Sequence, residues 1–175
     1  ETDRLTNLVD NLLDMSRIHA DAVTPALRAT TLDEVVPGAI AGLGLRARGV
    51  VIDVPESCPA VVADPALLER VIANLVDNAI THGHSDCPVR VEAGAAGGRV
   101  LLRVIDRGQG IPHDQREQIF HPFQRLDDAK PRLGAGVGLG LAVARGFTRA
   151  MGGELIVEDT PGGGTTMIVE LDVAR

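Results

Sequence analysis

The chain has 175 residues, of which 45% are hydrophobic, and it carries a formal net charge of −7 at pH 7. This length and apolar content predict one folded domain with a substantial core and exclude a wholly disordered chain. The acidic balance, with three Phe and no Trp or Tyr, argues against a nucleic-acid binder, which needs a basic stripe or stacking aromatic rings.

The cysteines and the hydropathy predict a cellular setting. Cys58 and Cys87 lie far apart, with no CxxC pair and no secretory leader, so a reducing, cytoplasmic setting is expected. No apolar run reaches the length of a membrane span. Because the chain opens at Glu1 inside a predicted helix, we expect it to be a segment of a longer protein that is anchored in a membrane elsewhere.

The first predicted element is an amphipathic helix. Residues 1–19 place apolar side chains from Leu5 to Ile18 at helical spacing, with polar residues between them. This apolar stripe needs a partner, which is either the rest of the chain or the other half of a helical hairpin in a dimer bundle. The sharp turn at Thr24-Pro25 favours the second arrangement.

Short elements are predicted for residues 25–63. The pattern indicates a strand at 25–30, a helix from 31 to about 48, and brief strands at 50–54 and 60–63. Thr31 is expected to cap the helix with its side chain. Pro37, Gly42 and Gly44 weaken this helix, because proline lacks a backbone donor and glycine is flexible.

The strongest helix start is Asp64-Pro65, where a capping side chain precedes proline at the first helical position. The apolar pattern that follows predicts a helix ending near Gly83. Asn74 and Asn78 point from one face of this helix, since they are four residues apart. Their amide oxygens can serve a hard cation or a bound polar group.

The C-terminal half is predicted to contain two hairpins and two helices. The expected elements are strands at 89–93 and 99–106, a short helix at 113–120, a polar loop at 126–135, a helix at about 138–151, and strands at 154–158 and 165–173. Strands and helices mix without regular alternation. The pattern predicts an α+β fold, a two-layer α/β sandwich with a mostly antiparallel sheet, preceded by the N-terminal amphipathic helix.

Two glycine-punctuated segments indicate a phosphate-binding site, because glycines let backbone amides approach phosphate oxygens closely. They are Asp106-Arg107-Gly108-Gln109-Gly110-Ile111-Pro112 and Gly136-Val137-Gly138-Leu139-Gly140-Leu141. The dinucleotide fingerprint fails at its third glycine, and the absence of a Gly-Lys pair excludes the Walker A motif. Together with the two asparagines, these segments predict a nucleotide bound with magnesium.

Five motifs then resemble those of sensor histidine kinases, in the same order along the chain. Residues 74–79 resemble the N box, 106–112 the G1 box, 119–125 the F box, 136–142 the G2 box, and 162–166 the last glycine motif. Residues 5–18 are similar to the tail of the second helix of the dimerisation and phosphoacceptor domain. The overall pattern is most similar to the Kdp-type potassium-sensor kinases.

The resemblance implies the Bergerat-type ATP-binding fold shared by gyrase, Hsp90, histidine kinases and MutL. It implies that residues 1–24 end the dimerisation hairpin, that residues 25–175 form the catalytic ATP-binding domain, and that the full-length protein is a homodimer. The implied reaction transfers the ATP γ-phosphoryl to a histidine outside this chain, for relay to an aspartate of a response regulator. His19 is not expected to be the acceptor, because Ala20 stands where the motif has an acidic residue.

For the adenine end of the site, the resemblance implies that Asp106 accepts a hydrogen bond from the adenine amino group. Gly108 and Gly110 would shape this end. Thr165 would order water beside the base, and His82 could stack on it.

For the phosphate end, the resemblance implies that Asn78 supplies an oxygen ligand to Mg²⁺. Asn74 would be catalytic at the position where hydrolytic relatives carry a Glu, and an amide cannot act as a general base. The other implied phosphate contacts are Gly136, Gly138 and Gly140, with Arg125 or Lys130 at the γ-phosphate and residues 126–135 as the ATP lid.

Some positions depart from the family pattern. Thr81 and His82 stand where the family often has Lys or Arg followed by an aromatic residue, so a cation is missing at position 81. Gln124 stands where an aromatic is common, and Met167 replaces a frequent Phe. We therefore expect modest nucleotide affinity. A transition-metal site in residues 82–87 is disfavoured, because ligands so close in sequence converge poorly on one ion.

Two other functions stay open from the sequence. One is a gyrase- or chaperone-like ATPase, and the lack of a Glu at position 74 counts against it. The other is a binding module that uses the fold without catalysis, which Thr81 and Gln124 leave possible.

Overall fold

The computed structural model describes residues 2–124 and 137–175. The helices are α1 (Thr2–His19), α2 (Leu32–Gly42), α3 (Pro65–His82) and α4 (Gly140–Ala150). The strands are β1 (Arg28–Thr30), β2 (Val51–Asp53), β3 (Val61–Ala63), β4 (Arg90–Ala96), β5 (Arg99–Ile105), β6 (Glu154–Asp159) and β7 (Thr165–Asp172). The predicted α+β sandwich is confirmed, with a layer of helices packed on a sheet.

The sheet is mixed, with one parallel pair that the predicted antiparallel arrangement did not include. Its five strands run in the order β2-β4-β5-β7-β6, with β2 parallel to β4 and the remaining neighbours antiparallel. The parallel pair arises because β3 and α3 lie between β2 and β4, a connection long enough to return the chain to the same end. The strands β1 and β3 form a separate antiparallel pair.

The core lies between the helices and the sheet and is almost wholly aliphatic. Alternate residues of β5 point into it, which is the pattern of a strand with one buried face. The largest fully buried side chains come from three helices and from the strands, and they include Val36, Leu75, Leu102, Phe147 and Leu171. This packing fixes α3 rigidly between the sheet and its neighbouring helices.

Helix α3 begins and ends where the sequence predicted. The Asp64 carboxylate accepts hydrogen bonds from the backbone amides of Ala66 and Leu67, at 3.0 and 3.3 Å, and Pro65 occupies the first helical turn. Gly83 closes the other end by donating to the Ala79 carbonyl. Local chemistry therefore sets the length of this helix.

Two predicted helices differ from the structure. Helix α2 ends at Gly42 rather than near residue 48, and a 3₁₀ turn at Gly44–Ala47 follows it, with Gly44 at φ +59°. Thr31 occupies the capping position, but its side chain makes no capping hydrogen bond. The predicted helix at 113–120 consists of two 3₁₀ turns, His113–Gln115 and Gln118–Phe120.

Helix α1 packs on the domain along one side, which includes Leu8. Met15 is 7% exposed, Ile18 lies against Gly146 of α4, and the Asp14 carboxylate pairs with Arg70 of α3 at 2.6 Å. The remaining apolar stripe is exposed at Leu5, Val9, Leu12 and Leu13. The two arrangements that the sequence left open are therefore compatible, since one side of the helix is packed on the domain and another apolar side is exposed.

None of the described helices combines the length and the apolar character required to cross a bilayer.

Replacing Met15 by Ala should lower the free energy of unfolding by about 2 kcal/mol, because the truncation leaves a cavity between α1 and the domain. Leu45→Ala is the matched control, since Leu45 is 80% exposed and its loss should change stability by less than about 0.5 kcal/mol. Urea unfolding of both variants measures the difference. Equal, small effects would mean that α1 does not pack on the domain in solution.

Candidate functional site

The candidate site is the surface along α3 from Asn74 to the turn at Gly108, called the groove below, and Asn74 marks one end of it. A Cβ placed on Gly140, the first residue of α4, would lie 3.3 Å from Asn74 Oδ1, so this side chain adjoins the start of α4. Asn74 Nδ2 is buried and has no hydrogen-bond partner within the described residues. Since an unpaired buried donor is unfavourable, the site fits a polar ligand at this point. The N-terminus of α4 adds backbone donors and a favourable potential for an anion.

The other end of the groove is marked by Asp106, which is 5% exposed. Its Oδ1 accepts hydrogen bonds from the backbone amides of Gly108, at 2.8 Å, and Thr165, at 3.1 Å. Its own backbone amide donates to the Thr165 carbonyl at 2.9 Å. Both side-chain bonds use Oδ1, so Oδ2 is held in a fixed orientation and can accept from a ligand donor.

The turn after β5 is held against the end of α3 by glycine. A Cβ on Gly108 would collide with the His82 carbonyl oxygen, and one on Gly164 would collide with the Asp106 carbonyl oxygen. A Cβ on Gly83 would lie 3.5 Å from the Asp106 side chain. Any larger residue at positions 108 and 164 would therefore separate Asp106 from α3 and from β7.

The structure brings most described site predictions together along α3. Asn78 lies one turn beyond Asn74 and is half-buried. Gly110 has φ +76° and approaches the carbonyl of Gly164, while Gly138 has φ +79° and packs on the Gln124 carbonyl. About 13 Å of helix axis separates Asn74 from Gly83, so one extended ligand can contact both ends.

Of the remaining predicted residues, one has an exposed side chain and the others lie outside the described residues. His82 adjoins the Gly108 turn through its carbonyl, and its side chain is exposed. Arg125, Lys130 and Gly136 lie outside the described residues, as does the loop at 126–135.

An ion pair that the sequence did not predict lies beside this groove. Arg46 Nη1 lies 2.5 Å from Asp77 Oδ1, an ion pair without hydrogen-bond geometry, and Arg46 Nη2 donates to Thr81 Oγ1 at 3.3 Å. Burial raises the pKa of the Asp77 carboxyl above its ordinary value, while the charges of Arg46 and His82 oppose that rise. No local signal predicts the contact, because Arg46 is on a different element. Gly83 and Gly164 were also missed as site residues, although each carries a turn signal.

Arg145 of α4 contacts the segment at residues 117–120, which precedes the gap in the described residues. Its guanidinium pairs with Glu117 at 2.6 Å and lies over the Phe120 ring, 4.6 Å from the centroid. The hydrogen bond from Arg145, with its charge, holds the pKa of Glu117 below the ordinary value. This contact fixes the F-box segment beside the helix whose N-terminus adjoins Asn74.

Comparison with known proteins gives a family and a set of relatives. Residues 63–175 match the family described as histidine kinase-, DNA gyrase B-, and HSP90-like ATPase. The sensor protein KdpD of Mycobacterium tuberculosis is 48% identical over 177 residues, which cover 97% of this chain and 20% of that protein. KdpD of Rathayibacter rathayi is 44% identical over 170 residues, with the same coverage. The chain thus spans about a fifth of the length of these relatives.

Among solved structures, full-length ShkA in complex with AMPPNP is similar to this chain. It superposes with a TM-score of 0.81 at 29% sequence identity, covering 99% of this chain and 37% of ShkA. The resemblance to sensor histidine kinases, including the Kdp type, is therefore confirmed.

Gly108→Ala should destabilise the protein by about 1–3 kcal/mol, because the new methyl group must displace the end of α3. Gly94→Ala is the control, since a Cβ at Gly94 meets nothing within 4 Å. Thermal unfolding of the two variants tests this. A Gly108→Ala protein as stable as the wild type would show that the turn does not rest on α3.

Glu117→Gln should lower the melting temperature at pH 7. A depressed carboxyl pKa stabilises the fold above the unfolded-state pKa, and this stabilisation is lost as the pH falls through the folded-state pKa. The melting temperatures of variant and wild type should therefore converge in acid. Glu158→Gln, which removes an exposed carboxylate on β6, should show no such convergence. A pH-independent difference for Glu117→Gln would argue against the Arg145 ion pair.

Proposed function

Because the chain belongs to the family of histidine kinase-, DNA gyrase B- and HSP90-like ATPases, we propose that it is the ATP-binding catalytic domain of a sensor histidine kinase. The observation that carries the proposal is the buried Asp106, whose Oδ1 is held by two backbone amides while Oδ2 is left to accept. A carboxylate that only accepts selects the exocyclic amine of adenine and rejects the carbonyl of guanine.

The phosphates would lie at the other end of the groove. Asn74 would donate its unpaired Nδ2 to a phosphate oxygen, and the N-terminus of α4 at Gly140 would face the same charge. Gly138 would let the backbone approach. Asn78 would hold Mg²⁺ through its amide oxygen, and the bound ion would neutralise charge on the phosphates.

The chemistry of Asn74 favours transfer over hydrolysis. An amide has no basic site with which to activate water, whereas an acceptor imidazole is itself a nucleophile and needs no such base. The role of the chain is then to bind ATP and orient its terminal phosphoryl group. The acceptor histidine would be outside this chain, because Ala20 follows His19 where the family's phosphoacceptor motif has an acidic residue.

The same proposal extends to the domains and the reaction of the full-length protein. Residues 1–24 would be the end of the dimerisation and phosphoacceptor hairpin, and residues 25–175 the catalytic domain. The full protein would be a homodimer of the Kdp type, anchored in the membrane with this domain in the cytoplasm. The phosphoryl group would pass from the acceptor histidine to a response-regulator aspartate. The roles of Arg125, Lys130 and Gly136 toward the phosphates remain those that the family resemblance implies.

The test begins with calorimetric titration of ATP in the presence of Mg²⁺. Asp106→Asn should weaken binding by about tenfold to a hundredfold, because it removes a charged acceptor from a buried hydrogen bond. The control is Asp172→Asn, at the far end of β7 from Thr165, which should bind as the wild type does. Unchanged affinity in Asp106→Asn would remove Asp106 from adenine recognition.

The same samples are then mixed with a separately made helical hairpin that carries an acceptor histidine. Phosphohistidine on the hairpin, lost in Asp106→Asn, supports the kinase. Release of inorganic phosphate without the hairpin would favour an ATPase, and binding without either reaction would favour a non-catalytic module.

A further inference from the structure

A guanidinium from outside α3 lies beside the asparagine face of that helix. Arg46 is in the 3₁₀ turn that follows α2, and it reaches α3 at Asp77 and at the Thr81 hydroxyl. Thr81 in turn donates to the Asp77 carbonyl at 2.8 Å, so its hydroxyl is fixed on the helix surface. The turn from which Arg46 projects needs Gly44, whose φ of +59° disfavours other residues.

The position of Thr81 places this guanidinium at the groove. Asn74, Asn78 and Thr81 are spaced i, i+4 and i+7, which is one stripe along a helix. The nitrogen that bonds Thr81 Oγ1 at 3.3 Å therefore lies at the edge of the stripe that carries both amides. Arg46 approaches from the α2 side, whereas Gly140 adjoins Asn74 from α4.

The charge of the chain and of the expected ligand bears on the position of Arg46. The chain has a net charge of −7, and a nucleoside triphosphate is itself an anion. Within the described residues, none of the groove positions predicted from sequence is Lys or Arg, and position 81 is a neutral Thr. A ligand of this kind needs positive charge within reach of its phosphates.

We propose that Arg46 contacts the phosphates of the bound nucleotide, supplying from the turn after α2 the cation that α3 lacks at position 81. The inference rests on the proposed function of the groove. Asp77 holds one terminal nitrogen and orients the guanidinium plane. The Arg46 side chain is 50% exposed, so its other N–H groups can reach phosphate oxygens.

The first test compares ATP with adenosine, each titrated in the presence of Mg²⁺ by calorimetry. Arg46→Gln should weaken ATP binding by about tenfold, the effect of losing a charged hydrogen bond, and change adenosine binding by less than about twofold. Arg48→Gln is the matched control, an exposed arginine two positions along the chain, and should leave both affinities unchanged.

The second test transfers the positive charge from position 46 to position 81. Adding Thr81→Lys to the Arg46→Gln protein should restore most of the ATP affinity, because a charge at position 81 faces the same stripe. Equal loss of ATP and adenosine binding in Arg46→Gln would identify Arg46 as a structural brace of α3 and overturn the proposal, as would unchanged ATP affinity.

The outcomes separate this inference from the proposed function. A wild-type chain that fails to bind ATP overturns both. A wild-type chain that binds ATP, with Arg46→Gln binding it equally well, overturns only the role of Arg46.

Discussion

The site depends on the two backbone amides that bind Asp106 Oδ1. They come from the turn after β5 and from the start of β7, so a single buried oxygen joins two segments that are far apart in sequence. In a poorly solvated environment such bonds are strong and leave the carboxylate no freedom to rotate. The remaining oxygen thereby acquires a fixed direction, which is set by the backbone of two distant segments and not by side-chain packing alone.

Helix α3 separates the aliphatic core from the polar groove. Its buried face, with Val71, Leu75 and Ala79, packs among the other helices and the sheet, and the adjoining face carries the amides. Because the buried face is close-packed, the polar face is held still without needing its own network of contacts. This arrangement explains how Asn74 can keep a buried donor unpaired, since the surrounding packing stabilises the helix.

Local signals predicted the elements that local chemistry controls. The Asp64-Pro65 start of α3 and its Gly83 end are decided within a few residues, and they were predicted correctly. The parallel pairing of β2 was not, because a three-residue strand carries no information about its neighbour. The reach of Arg46 to Thr81 spans 35 positions and depends on how α2 packs on α3, so no spacing rule could predict it.

The ion pair between Asp14 and Arg70 connects α1 to α3, which carries the groove residues. Arg70 and Asn74 are one turn apart on α3. The arginine that pairs with α1 and the amide that adjoins α4 therefore lie on the same rigid segment of helix. A rotation or piston shift of α1 must either strain that segment or break the contact. Movement of α1 and the geometry around Asn74 are thereby mechanically linked.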